Sequence, residues 1–238
     1  MEFGIIFIES LHAIRKNVIV IAPTIIASLV MLIATSIFMG GDLASLDESN
    51  PDKAIMAIRA VAPRLFAISA LNYFLQVFSH CVTIAMAIDI VNKGTCNVFD
   101  GYLTVLRKIG RILPASLLIL IFLTFGLMLL ILPALIVSFV FILTFVIIMN
   151  EAITPVMAMK KSYRTMKGNY GSSIVLFFFL LAVGITVSIV NILLGQMLYA
   201  GVALSLFLSG VFMSFAAITL LKFYMILETK TQQLCLHD

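Results

Sequence analysis

Residues 150–170 read NEAITPVMAMKKSYRTMKGNY, and within them a hydrophobic run ends and a basic segment begins. Thr154 before Pro155 makes an N-cap and first-turn pair, because Thr can accept from unpaired amides and Pro has no amide to leave unpaired. Gly168 with Asn169 supplies a stop, expected in the left-handed conformation. Between them Ile153, Val156, Met159, Tyr163 and Met166 recur at three and four residues, while Lys160, Lys161, Arg164 and Lys167 take other faces. The pattern predicts a helix lying in a membrane interface, its cations in the headgroup layer.

Composition agrees with a lipid setting. Hydrophobic residues make up 63% of the 238, charged residues 11%, and the mean hydropathy is +1.20. That is too little polar surface to clothe a soluble domain of this length. The net charge of +4 does not point to nucleic acid, since the cations sit beside apolar runs, where the positive-inside rule expects them. Cys81, Cys96 and Cys235 show neither CxxC spacing nor a nearby histidine pair, so no zinc site, disulfide framework or cofactor is expected.

Outward from the opening stretch, the expected fold is all-α: six transmembrane helices in three hairpins, each preceded by a cytoplasmic amphipathic helix. Residues 1–16 carry Phe3, Phe7, Leu11 and Ile14 at helical spacing and end in Arg15 and Lys16. An apolar run over 18–39 follows, long enough to cross a hydrocarbon core and too long for a signal peptide, so an uncleaved first span is expected. Residues 40–63 read as an acidic outer loop with Asp42, Asp47, Glu48 and Asp52, and 65–91 as a second span in which Asp89 can pair with Lys93. Asn97 caps a third surface helix to Gly110, with Arg107 and Lys108 beside its apolar face. The stretch 112–150 holds two spans with a tight turn at Leu132, Pro133 and Ala134. Residues 172–194 and 202–227 give the fifth and sixth, and 228–238 a polar, mobile cytoplasmic tail.

Topology follows from charge. With both termini in the cytoplasm of a cell, Arg15, Lys16, Lys93, Arg107, Lys108, Arg111, Lys160, Lys161, Arg164, Lys167, Lys222 and Lys230 lie inside, against Lys53, Arg59 and Arg64 outside. Tyr102, Tyr163, Tyr170 and Tyr224 are expected in the inner aromatic belt, and Tyr73 and Tyr199 in the outer. SLHAIRKN at 10–17, YLTVLRKI at 102–109 and SYRTMKGN at 162–169 suggest an internal repeat of surface helix, span, span, in units of about 1–91, 97–150 and 152–227.

Few residues could carry chemistry. Asn72, Gln76 and His80 fall on one face of the second span, either as interhelical packing or as the lining of a solute or proton path. Glu151 reads as an ion pair anchoring the surface helix to the fourth span; catalysis would require a second titratable partner, and none is identifiable. The cations Arg15, Lys16, Arg107, Lys108, Lys160, Lys161, Arg164 and Lys167 are expected to meet anionic lipid headgroups, with a phosphorylated ligand as the alternative. Gly201, Ser205, Ser209, Gly210 and Ser214, with Gly184 and Ser188, permit close helix approach, within the chain or between copies. No nucleophile elbow, phosphate loop, HExxH or paired-carboxylate motif is present.

Glu151, Ala158, Lys160, Lys161, Ser162, Lys167, Gly168 and Asn169, following a hairpin with Pro133, resemble the pattern of a bacterial and archaeal group of six-helix membrane proteins. That group includes the membrane domain of glycerophosphoryl diester phosphodiesterases. Ala134 and Tyr163 stand where such proteins often have Gly and Trp. The resemblance implies a six-span membrane module without phosphodiesterase activity, since the catalytic domain of those enzymes has no counterpart here. The functional expectation is a non-enzymatic multi-pass module contacting lipid or membrane partners, a second copy included. A transporter with its path along Asn72, Gln76 and His80 is the alternative, and an intramembrane enzyme the third reading.

Overall fold

The computed structural model describes residues 3–39, 51–151, 153–195 and 198–235, with backbone alone at 39, 51–61, 198–200 and 230–235. The acidic residues Asp42, Asp47 and Glu48, and the side chains of Asp52, Tyr199 and Cys235, lie outside the described part. Nine α-helices and one 3₁₀ helix occur among the described residues: α1 (Phe3–Lys16), the 3₁₀ turn Val18–Ile21, α2 (Ala22–Met39), α3 (Pro51–Lys93), α4 (Val98–Leu129), α5 (Ile131–Phe141), α6 (Thr144–Asn150), α7 (Pro155–Gly168), α8 (Tyr170–Leu194) and α9 (Leu198–Cys235). Six segments are long and apolar enough to cross a membrane: Val18–Phe38, Ala62–Lys93, Val98–Leu129, Ile131–Asn150, Tyr170–Leu194 and Gly201–Thr229. The chain is an all-α, multi-pass membrane protein.

Helices α3 and α9 form the centre. Val82, Ile84 and Met86 of α3 meet Ile147 and Ile148 of α6 and Ala217, Leu221 and Phe223 of α9 in one buried cluster. Helix α2 packs on both α3 and α9, α4 on α3, α5 on α4, and α8 on α9. Small residues set the distances within the chain. A Cβ on Gly184 of α8 would stand 3.1 Å from the Phe212 ring of α9, and one on Gly210 would overlap Ile21. Ser214 Oγ donates to the Val20 carbonyl at 3.1 Å, and Asn191 Nδ2 to Ser209 Oγ at 2.8 Å.

Several boundaries differ from expectation for identifiable reasons. The hairpin between the third and fourth spans turns at Leu130, not at residues 132–134, and Pro133 sits inside the first turn of α5. Pro is tolerated there because first-turn amides have no intrahelical acceptor. The two helices come close at Gly126, where a Cβ would lie 2.9 Å from the Ala134 backbone. The third surface helix does not end at Gly110: α4 is continuous through Pro114 to Leu129. Conversely, the fourth span is not one helix, because α5 gives way to α6 over residues 142–143. No Gly or Pro marks that break; the Val140 carbonyl accepts from Ser162 Oγ of α7 at 2.6 Å instead. Gly168 and Asn169 do not form a left-handed stop, since the positive φ among the described residues belongs to Gly94, at 75°. Helix α3 begins at Pro51, within the expected loop, and α9 carries the expected tail to Cys235.

Candidate functional site

Most of the charged side chains among the described residues gather at one end of the bundle, with α1, α7 and the ends of α3, α6 and α9, while Arg64 stands at the opposite end of the second span. Glu151, the C-cap residue of α6, accepts from Lys161 Nζ of α7 and from the Tyr224 hydroxyl of α9. Lys161 Nζ also reaches Glu228 Oε1 at 3.0 Å and stands over the Tyr224 ring at 5.4 Å. Three elements are tied by one ammonium. Burial works to lower the Lys161 pKa, but its hydrogen bonds with Glu151, Tyr224 and Glu228 outweigh that and hold it well above the ordinary lysine range. Tyr224 is therefore no belt residue: it is fully buried, its ring in the core and its hydroxyl on Glu151. Tyr73 likewise faces the bundle, donating to the Ser116 carbonyl of α4 at 2.8 Å.

Lys108 is a second cation turned inward. Its Nζ donates to the carbonyls of Met149 and Ile148 (3.4 Å to the latter), meeting the unpaired acceptors and negative dipole end of α6. The headgroup assignment of Lys108 and Lys161 is corrected accordingly. Arg15, Lys16, Arg107, Lys160, Arg164 and Lys167 are exposed. Among the described residues none of the six is paired with a carboxylate; Lys167 lies over the Tyr163 ring at 5.9 Å. Helices α1 and α7 are two-faced: Ile6, Ser10 and Ile14 are buried on one, Ala158, Met159, Ser162 and Met166 on the other. Glu9 of α1 pairs with Lys222 of α9 at 2.6 Å, and Asp89 with Lys93 at 2.8 Å. Asn97 caps α4 through Phe99 N at 3.0 Å, whereas the Thr154 side chain caps no amide although it holds the N-cap position.

The stripe on α3 divides. Asn72 is exposed and Gln76 half-buried, neither with a hydrogen-bond partner among the described residues, while His80 stands edge-on to Phe145 of α6 at 6.4 Å with Nδ1 buried and unpartnered. Besides Tyr73, α3 turns inward Ser79, 3.4 Å from Thr24 Oγ1 of α2, and Thr83, which bonds back to the Ser79 carbonyl at 3.0 Å. A 200 Å³ cavity beside this helix is lined by Leu71, Phe74, Leu75, Val77 and Phe78, and by none of the stripe residues. The fully buried Ser79 and Thr83 fall on a face offset by one residue from His80, which the spacing alone does not reveal. No group of three or more His, Cys, Asp or Glu among the described residues could hold a metal ion.

A larger cavity, of 410 Å³, lies between α5, α7 and α8, apolar along its length with Lys167 at the end nearest α7. No family model, no curated protein and no solved structure matches this chain.

Proposed function

We propose that the chain is a non-enzymatic membrane module that holds anionic lipid headgroups against the cationic faces of α1 and α7, at the cytoplasmic side of a cell membrane. The observation that carries this reading is the set of exposed cations Arg15, Lys16, Arg107, Lys160, Arg164 and Lys167 at one end of the bundle, unmatched by carboxylates among the described residues. Exposed Tyr163 and Tyr170 accompany them, as amphipathic rings do at headgroup level. The inward-turned pair Lys108 and Lys161 serves a different purpose, fastening α4 and α7 to α6 so that the exposed cations keep a fixed height.

Each cation near an anionic surface contributes on the order of 1 kcal/mol. The double substitution Lys160→Gln, Arg164→Gln is therefore expected to lower the affinity of the purified chain for phosphatidylglycerol, relative to phosphatidylcholine, by roughly thirtyfold. Native mass spectrometry of both forms from mixed vesicles gives the comparison. Equal retention would overturn the proposal.

A further inference from the structure

The cavity between α5 and α8 has a polarity gradient along its length. Near α7, Phe139 of α5 meets Phe177 and Tyr170 of α8 edge to face, at 5.5 and 5.8 Å. Beyond that bridge, Leu132 and Ile136 of α5 stand opposite Phe178 of α8, all of them exposed, and the trough between the helices lies open. At the end nearest α7 the Lys167 ammonium stands over the Tyr163 ring at 5.9 Å. The result is a trough 410 Å³ in volume, oily throughout and closed by one cation.

We propose that this trough binds a single anionic phospholipid, one acyl chain lying along Ile136 and Phe178 and its phosphate at Lys167. The inference rests on the reading of α7 as a headgroup-facing helix and narrows it to one site. An acyl chain gains little by exchanging neighbouring lipid tails for apolar side chains, so shape alone selects no lipid. Selection falls to the mouth, where an ammonium beside a low-dielectric wall favours a phosphate with net negative charge over a zwitterion. The Phe139–Phe177 contact narrows the trough near α7, and its volume of 410 Å³ suits a single acyl chain.

The test uses the full chain in phosphatidylcholine vesicles containing phosphatidylglycerol with a photoactivatable diazirine in one acyl chain. Cross-links are expected to concentrate on residues 132–139 and 174–178, and to be displaced by unlabelled phosphatidylglycerol but not by phosphatidylcholine. Lys167→Gln should weaken displacement about fivefold, the effect of one surface cation. Ile136→Trp places bulk in the trough from an exposed position and leaves every cation in place. It should abolish these cross-links while total phosphatidylglycerol retained by the chain falls by no more than one molecule, with circular dichroism reporting an intact helical fold for both variants. Cross-links spread evenly over the lipid-facing surface, or unchanged by Ile136→Trp, would overturn the trough. Should retention still fall in the Lys160→Gln, Arg164→Gln form, the cationic-surface reading survives that outcome; should it not, both fall.

Discussion

Glu151 and Lys161 illustrate how much a single pair can hold when its neighbours are arranged on different helices. Removing Glu151 leaves Lys161 with Glu228 as its remaining carboxylate, and removing Lys161 leaves Glu151 with the Tyr224 hydroxyl alone, so a double-mutant cycle of Glu151→Gln and Lys161→Met should show a coupling of about 0.5–3 kcal/mol. Thermal melts in detergent measure it. The pH dependence has a definite sign. The Lys161 pKa is raised in the folded chain, so its contribution is complete below the ordinary lysine value of 10.5 and is lost only as pH climbs through the raised one. The gap between wild type and Lys161→Met should thus be the same at pH 7 and pH 9, narrowing only under stronger alkali. His80 is the opposite case, a ring nitrogen buried without an acceptor or donor. Replacing an orphaned polar atom by an apolar group of similar shape is neutral or favourable, so His80→Phe should leave the melting temperature unchanged or higher. A loss exceeding about 2 kcal/mol would show that the imidazole has a partner in the membrane.

Among the elements, local signals were legible and distant ones were not. Asn97 capping Phe99 and Asp89 pairing with Lys93 involve neighbours two and four residues apart, and both can be read from spacing. The break between α5 and α6 cannot, because its partner Ser162 lies 22 residues away and nothing at residues 141–143 announces it. The same holds for Tyr224, assigned to an aromatic belt by residue type but joined to Glu151 across 73 residues. Burial also shows a pattern that letter matching displaced by one position. Ser10 and Ile14 of α1, Gly101 and Val105 of α4, and Ser162 and Met166 of α7 are each a buried small residue followed four later by a buried apolar one. The α4 member starts at Gly101, seated against Val82 and Met86, rather than at Tyr102. For the hairpin of α4 and α5, Gly126→Val should cost about 1–3 kcal/mol by forcing Cβ atoms into the Ala134 backbone. A melting temperature equal to wild type would mean that the hairpin is looser than its geometry.

At the scale of the molecule, orientation is the property that charge predicts. Cys81 is buried, and burial together with Asp89 raises the Cys96 thiol pKa, so its labelling is slow at neutral pH and faster in mild alkali. An impermeant maleimide should reach Cys96 only from the cytoplasmic face of sealed vesicles; modification from the opposite face would invert the topology. The six spans themselves were evident from hydropathy, since lipid demands long apolar runs. Which of them occupies the centre was not, because α3 and α9 carry more polar residues than the spans around them and are nonetheless the most enclosed. The interrupted fourth span has a consequence for biogenesis. Residues 142–143 keep right-handed helical dihedrals while the hydrogen-bond ladder is locally disturbed beside them, and Ser162 reaches the Val140 carbonyl only after the next segment has been synthesised. A chain truncated at residue 150 lacks that partner, so it is expected to insert less stably than one extending through α7.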